Sequence, residues 1–350
     1  VRLDNIGDVI ALGPALRTLR AALPDARITL LASPAGSQVA PLLPEVDAVL
    51  TRSVVWQDAA GSLPPDPARE LALVDDLRRG RFDAAFVFTS WSQSPWPPAY
   101  ACYLAGIPIR VGESKEFGGS LLTHRVPSLP DGEHVVDRNL HLLTSLGFRP
   151  AGHDLRLRLP PADATRARAL LAGAGIDPDR PFAALAPGAT CAARRYDPER
   201  FGRVAAALAA RGLPVVVLAS ERERRRGLVE PVLAPATTAR LPIASLAGRT
   251  SLGELAAVIG RAAVVVCNDS APMHIADALD RPLVALYSGT ELESQWGPRK
   301  APARLLRRPT PCAPCYRFDC PFAMECLDIP PEEVVDAATA LLDRTTAVPA

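Results

Sequence analysis

Short apolar runs alternate with helix-length amphipathic segments in two successive series, and no other feature of this sequence limits its fold as strongly. The first series reads "ARITLLAS", "DAVL" near residue 47, "AAFVFTS" at 84–90 and "IRVG" at 109–112 as strands. Between them, "VIALGPALRTLRAAL" from residue 9, "PARELALVDDLRRG" and "PAYACYLAG" carry helical spacing. Strands joined through helices belong to a parallel sheet covered on both faces. "HVVDRNLHLLTSLG", 134–147, closes the series as a helix with Gly147 as its stop signal. The rhythm restarts with strand "PFAALAPGA", helix "PERFGRVAAALAARG" and strand "PVVVLAS". Helix "TSLGELAAVIGRA" follows, opened by a capping box of Ser251 and Glu254. Strand "AVVVCND", helix "APMHIADALD", strand "PLVALYS" and a last helix, "PPEEVVDAATALLD", complete it.

Two such series in 350 residues predict two α/β domains, 1–160 and 161–350, with similar sheets facing each other across a cleft. The 39 basic and 38 acidic residues nearly cancel, so charge gives no reason to expect a nucleic-acid partner. No stretch reaches the 18 or so apolar residues of a membrane helix, and the first residues lack the layout of a signal peptide. A cytoplasmic location is expected.

Open α/β sheets bind ligands beyond the carboxyl ends of their strands. Asp8 stands in such a place, in "RLDNIGDVI". That stretch has neither the three glycines of a dinucleotide fingerprint nor the Gly-Lys-Ser/Thr of a phosphate loop. Asp8 therefore reads either as a helix cap or as a general base that takes a proton from a hydroxyl. Gly7 lets a ligand approach without a Cβ in the way, and Gly13 with Pro14 shapes the helix start. Asp4 is the second-choice acid, and Asn5 reads as a turn residue.

"PGATCAARRY", 187–196, puts Arg194 and Arg195 in a loop where they can hold phosphate oxygens. A solvated basic turn is the plainer alternative, and Tyr196 reads as a packing anchor. In "NDSAPMHIADALDRPLVALYSG", 268–289, Ser270 and the backbone donors from Ala271 onward offer an anionic diphosphate the positive end of a helix. Asp269 holds this loop or accepts a sugar hydroxyl, and Ser270 has helix capping as its bland role. His274 is a packing residue or a ligand contact. Glu291, Ser294, Gln295 and Trp296 either line the crevice or pack.

Of seven cysteines, Cys312, Cys315, Cys320 and Cys326 are spaced C-x2-C-x4-C-x5-C. Four thiolates suit a tetrahedral structural zinc. Two disulfides, an iron–sulfur site or free thiols stay open, although a cytoplasmic location argues against disulfides.

Taken together, "RLDNIGDVIALGPALRTLR", "PGATCAARRYDPERF" and "NDSAPMHIADAL…PLVALYSGT…WGPR" resemble glycosyltransferase family 9, which contains the ADP-heptose:lipopolysaccharide heptosyltransferases. The resemblance runs over about residues 1 to 340, and "CAPC…CP…C" also resembles some members. It implies two Rossmann-like domains in a GT-B architecture with an interdomain cleft. It further implies an inverting transferase of lipopolysaccharide biosynthesis that needs no metal ion for catalysis. The first domain would take a glycan or glycolipid acceptor, and the second a nucleotide-sugar donor, ADP-heptose in the leading reading. Peripheral contact with the cytoplasmic face of the inner membrane follows from such an acceptor. Asp8 matches the family's proposed base. Arg194 matches a basic position facing the donor diphosphate, and Asp269, Ser270 and His274 match the donor-side pattern. The chain departs from the family in having Arg194 where lysine is common, Tyr196 where tryptophan is frequent, and "LASERERRR" where a glycine-rich turn is usual. Another surface glycan, a nucleotide-sugar epimerase or hydrolase, and a non-catalytic sensor are the competing readings.

Overall fold

Every strand pair among the described residues is parallel, as strands linked through helices require. The structure is a computed structural model that describes residues 1–58, 61–91 and 93–346. It divides into two compact units, Val1–His153 and Asp154–Ala350, so the stretch 154–160 goes with the second unit. No helix among the described residues is long and apolar enough to cross a membrane.

In the first unit, β1 (Thr29–Ala32) pairs with β2 (Ala48–Thr51), and β3 (Ala84–Val87), β4 (Ile109–Glu113) and β5 (His124–Val126) form a second ladder. The first residues of the chain join the two ladders. The Val1 amino group donates to the Phe86 carbonyl at 2.7 Å and Phe88 N–H to the Val1 carbonyl at 3.0 Å, while Arg2 N–H reaches the Leu31 carbonyl at 2.9 Å. Residues 1–3 thus act as the first strand, and the order across the unit is β2, β1, residues 1–3, β3, β4, β5. This is the 3-2-1-4-5-6 order of doubly wound folds, whose ligand crevice opens where the order reverses.

The helices of this unit are α1 (Ile6–Ile10), α2 (Gly13–Ala22), α3 (Pro67–Gly80), α4 (Trp96–Leu104) and α5 (Val135–Thr144). Helical spacing from residue 9 predicts one continuous helix, but the chain steps at Ala11 and Leu12. Pro14 explains the step: it has no N–H to give, which only a first helical turn tolerates. Asn139 Nδ2 donates to the Ala11 carbonyl at 3.1 Å and so occupies a group near the break. Gly147, at φ 88°, ends α5 as expected, with Phe148 N–H reaching back to the Leu143 carbonyl. Leu31, Leu73, Leu77, Ala85 and Ile107 are buried together beneath α3 and α4.

The second unit holds one six-stranded sheet of β6 (Ala183–Ala186), β7 (Val215–Val217), β8 (Ile243–Ser245), β9 (Val264–Asn268), β10 (Leu283–Leu286) and β11 (Ala303–Leu306). Its order, β11-β10-β9-β6-β7-β8, is again 3-2-1-4-5-6, with the reversal between β6 and β9. Helices α6 (Pro161–Gly173), α7 (Pro198–Ala210), α8 (Glu221–Arg225), α9 (Glu230–Thr238), α10 (Leu252–Ile259), α11 (Ala271–Ala278), α12 (Glu293–Trp296) and α13 (Pro331–Thr346) complete the unit. Asp197 starts α7 by accepting the N–H groups of Glu199 and Arg200 at 2.7 and 3.1 Å. Phe201, Val204 and Leu208 of α7 share a core with Val334, Val335 and Ala338 of α13 and with β6, β7 and β9. Each such large side chain contributes about 1.5–3 kcal/mol on burial, so a rigid sheet carries the loops at its carboxyl edge.

Candidate functional site

At the reversal point of the first unit, two carboxylates share one buried guanidinium. Arg2 Nη2 lies 2.7 Å from Asp8 Oδ1, and Arg2 Nε lies 2.9 Å from Asp4 Oδ2. Three loops at the carboxyl edge supply the surroundings. Ser33, after β1, donates its hydroxyl to the Asp4 carbonyl at 2.6 Å. Gln57, after β2, donates to Asp4 Oδ1 at 3.1 Å, and Gln93, after β3, donates to the same oxygen. Ser90 accepts from Arg2 Nη2 at 2.9 Å and donates to Asp8 Oδ1 at 3.3 Å. Burial pushes the Asp4 carboxyl above its ordinary range; Arg2 pulls it down, and the nearby Asp8 charge pushes it up.

Asp8 occupies the third position of α1, and its Oδ2 accepts the Asn5 N–H at 3.2 Å. Capping uses one carboxylate oxygen, and Arg2 with Ser90 holds the other. Gly7 precedes Asp8 within α1, whereas Gly13 begins α2. A Cβ at Gly13 would meet only ordinary contacts with Arg17 and Leu43, at 3.7 Å each, so Gly13 shapes the helix and stands apart from the carboxylates.

The second unit puts the opposite arrangement at its own reversal point. Arg194, in the loop after β6, donates through Nε to Thr290 Oγ1 at 3.1 Å and through Nη2 to Glu291, both in the loop after β10. Asp269, after β9, has Oδ2 at 3.9 Å from Arg194 Nε. That oxygen is buried and has no hydrogen-bond partner among the described residues. Burial works against the Arg194 charge, but Asp269 and Glu291 more than offset it, so Arg194 is held protonated far beyond neutral pH. Arg195 turns the other way, donating to the carbonyls of Ala189 and Thr190 at 3.1 and 3.4 Å; the structure does not bring it to Arg194.

Ser270 precedes α11 without capping it, since its hydroxyl donates back to the Asn268 carbonyl at 3.2 Å. Ala271 is the first residue of that helix. His274, one turn on, is buried with its ring edge-on to Trp296 at 6.0 Å. Tyr196 is a packing anchor: its ring meets Phe201 at 5.3 Å and its hydroxyl donates to the Ile329 carbonyl at 2.6 Å. Gly188 answers for the unusual "SERERRR" segment. The Glu223 carboxylate, which caps α8 at Ser220, lies where a Cβ at 188 would sit.

The four late cysteines are free thiols, from exposed Cys312 to buried Cys326. Burial raises the Cys326 thiol, with further pushes from Cys320, Cys312 and Cys315. The described residues nonetheless contain no group of three or more His, Cys, Asp or Glu that could hold a metal ion. Zinc at these positions therefore finds no support among the described residues. The segment instead docks by its backbone on the two loops around Arg194. Ala193 N–H donates to the Phe318 carbonyl at 3.0 Å, and Cys315 and Tyr316 N–H donate to the Gly289 and Thr290 carbonyls at 2.9 Å each.

Sequence reasoning did not single out Arg2, Ser90, Gln57, Gln93, Thr290 or Asn268. Asn268 is fully buried and staples the Arg194 loop to β9: its Nδ2 donates to the Pro187 carbonyl at 2.8 Å, and its Oδ1 accepts the Tyr196 N–H at 3.0 Å. A lone asparagine in the apolar run "VVVCN" was the available signal, because a buried amide must find partners.

Known proteins resemble this chain in sequence and in fold. The profile of "Glycosyltransferase family 9 (heptosyltransferase)" matches residues 71–325. "Lipopolysaccharide heptosyltransferase 2" of Escherichia coli strain K12 is 28% identical over 346 residues, 96% of each chain. "Lipopolysaccharide heptosyltransferase 3" of Escherichia coli is 27% identical over 290 residues, 81% of each. The solved structure of E. coli ADP-heptose lps heptosyltransferase II superposes with a TM-score of 0.77 at 24% identity, over 99% of this chain and 98% of that one. The fold is thus the GT-B arrangement of Rossmann-like units in an α/β chain. Residues, topology and kinship agree: the chain belongs to glycosyltransferase family 9, the heptosyltransferase family.

Proposed function

We propose that this enzyme transfers a heptose from ADP-heptose to a sugar of the lipopolysaccharide core, with inversion at the anomeric carbon. The observation that carries the reading is kinship over 96% of the chain with a protein named as a lipopolysaccharide heptosyltransferase. The chemistry at the two reversal points supports it. Asp8 presents a carboxylate of which Oδ1 is tied to Arg2 and Ser90. Oδ2, holding a single backbone N–H at 3.2 Å, is the oxygen that takes the acceptor's hydroxyl proton. The acceptor oxygen then attacks the anomeric carbon as the bond to the ADP oxygen breaks, and ADP leaves with the electron pair.

Arg194 supplies positive charge for the departing diphosphate, aided by the backbone donors at the start of α11. The bare Asp269 Oδ2 is suited to a hydroxyl of the donor rather than to its phosphates. The first unit accordingly serves the acceptor and the second the donor. An acceptor anchored in lipid would bring the working enzyme to the cytoplasmic face of the inner membrane.

A mass-resolved assay with ADP-heptose and a heptose-deficient lipopolysaccharide core tests the reading. The expected result is one added heptose, inverted configuration and ADP release that depends on the acceptor. ADP-heptose breakdown without acceptor would instead make the protein a hydrolase, and transfer only from another nucleotide sugar would replace the donor.

A further inference from the structure

We propose that Arg2 is a positioning residue for the transfer reaction, fixing the carboxylate of Asp8 in the orientation that receives the acceptor's proton. The inference rests on the reading of Asp8 as base and adds a residue that reading does not require.

Arg2 is an unusual side chain for its place. It belongs to the strand-like start of the chain, bridged to Ala32 beside β1, and it is entirely buried. An arginine is almost never buried without anionic partners, and its partners here are the two carboxylates. Its guanidinium lies between them, with Nε 2.9 Å from Asp4 Oδ2 as an ion pair and Nη2 hydrogen-bonded to Asp8 Oδ1 at 2.7 Å. Nη2 also donates to Ser90 Oγ, which in turn donates to Asp8 Oδ1. Asp8 Oδ1 is therefore gripped from two sides, and rotation of its carboxylate about the Cβ–Cγ bond would break both contacts.

What this leaves outward is the second oxygen. Asp8 Oδ2 keeps lone-pair capacity after accepting one backbone N–H. A general base must lie within hydrogen-bond reach of the proton in the reactive pose, and a misplacement of about 1 Å lowers rates by about 100-fold. Asp4 plays a different part. Its carboxylate is more deeply buried than that of Asp8 and is tied by Gln57 and Gln93, so it anchors the far side of the guanidinium. Arg2 acts on the acceptor only through Asp8.

The test is a double-mutant cycle on the full chain, assayed with ADP-heptose and core acceptor, using Arg2→Lys, Arg2→Gln and Asp8→Asn. Lysine keeps a cation near both acids and protects folding if glutamine abolishes it; thermal unfolding and ADP affinity confirm an intact protein. Arg2→Lys is expected to lower kcat by about 10- to 100-fold, on the scale of a displaced base, with ADP affinity and acceptor KM unchanged. In the Asp8→Asn background the same change should add nothing, because a group acting through Asp8 has nothing left to position. Full activity of Arg2→Lys, losses that multiply in the double variant, or a change confined to acceptor KM would each overturn the proposal. Failure of the base reading is separately visible, as Asp8→Asn alone would then keep its rate.

Discussion

The reversal points of the two units carry the same three charges in opposite order. Each sets one arginine between two carboxylates at the carboxyl edge of a 3-2-1-4-5-6 sheet. In the first unit the deep member is the cation: the Arg2 side chain is 0% exposed while Asp8 is 15% exposed. In the second unit the deep member is an acid: Asp269 is 3% exposed and Arg194 is 20%. A shared topology thus presents a carboxylate in one place and a guanidinium in the other. One suits an alcohol that must lose a proton, and the other a diphosphate that must leave.

Neutralising the outward acid should break the contrast most severely. Asp8→Asn keeps the shape and the Asn5 contact but removes the proposed base, so kcat should fall by about 10²- to 10⁴-fold. ADP affinity, which the proposed reading assigns to the second unit, should not move. Steady-state rates beside calorimetric ADP titration check this, and a variant that loses both together would place Asp8 outside the chemistry. The reciprocal change, Arg194→Met, should weaken ADP binding by about 10- to 100-fold, from the loss of charge-assisted hydrogen bonds worth about 1.5–3 kcal/mol. Arg194→Lys should recover part of it, since an ammonium keeps the charge and loses the fork.

A third change separates the loop from its charge. Asn268→Ala leaves Arg194 in place but strips partners from the Tyr196 N–H and the Pro187 carbonyl. Buried groups left unsatisfied cost about 1–3 kcal/mol, so the second unit should unfold at lower denaturant and ADP affinity should drop with it. Stability loss with unchanged ADP affinity would show that the loop keeps its shape without the staple.

How legible these features were in the sequence depends on how local their causes are. The apolar strands β6, β7, β9 and β10 and the caps at Asp197 and Ser251 declare themselves within a few residues. β5, β8 and β11 do not: β5 is mostly exposed and β8 and β11 are only half-buried, so no apolar run marks them. Asp8, Arg194 and Asp269 were visible because each follows a strand-like run. Ser90 was not, because it arrives from a loop 82 residues away in sequence, and Glu291 was legible as a crevice residue but not as the partner of Arg194, 97 residues away. Arg2 was hidden for another reason, as nothing in its neighbouring residues shows that two acids close over it. The four cysteines are a different case: spacing alone does not report whether thiols converge, so it does not choose between a metal site and free thiols.

The buried anchor of the first unit makes a smaller, pH-dependent prediction. Asp4 is held above its ordinary value of 3.8, chiefly by burial. A carboxyl whose folded pKa is raised stabilises the protein below its unfolded pKa, and that contribution is lost as pH rises through the folded value. The parent should therefore lose stability relative to Asp4→Asn as pH climbs from below about 4 toward neutrality. Denaturant midpoints across that range measure it. The opposite trend would mean that Arg2 outweighs burial and that Asp4 is an ionised partner on equal terms with Asp8.

The smallest expected effect concerns the outer acid beside Arg194. Glu291 bonds Arg194 Nη2 from a side chain that is itself 18% exposed, so it holds the guanidinium that an incoming diphosphate would claim. Glu291→Gln keeps an oxygen for that bond but removes the rival charge, while Asp269 continues to balance Arg194 from below. ADP should then bind severalfold more tightly, because less attraction has to be exchanged when the phosphates arrive. The gain should shrink at high salt, which screens a partly exposed charge more than a buried one. If ADP affinity falls instead, Glu291 is aiming Arg194 at the donor, and the outer acid of the second unit supports its cation just as Arg2 supports Asp8 in the first.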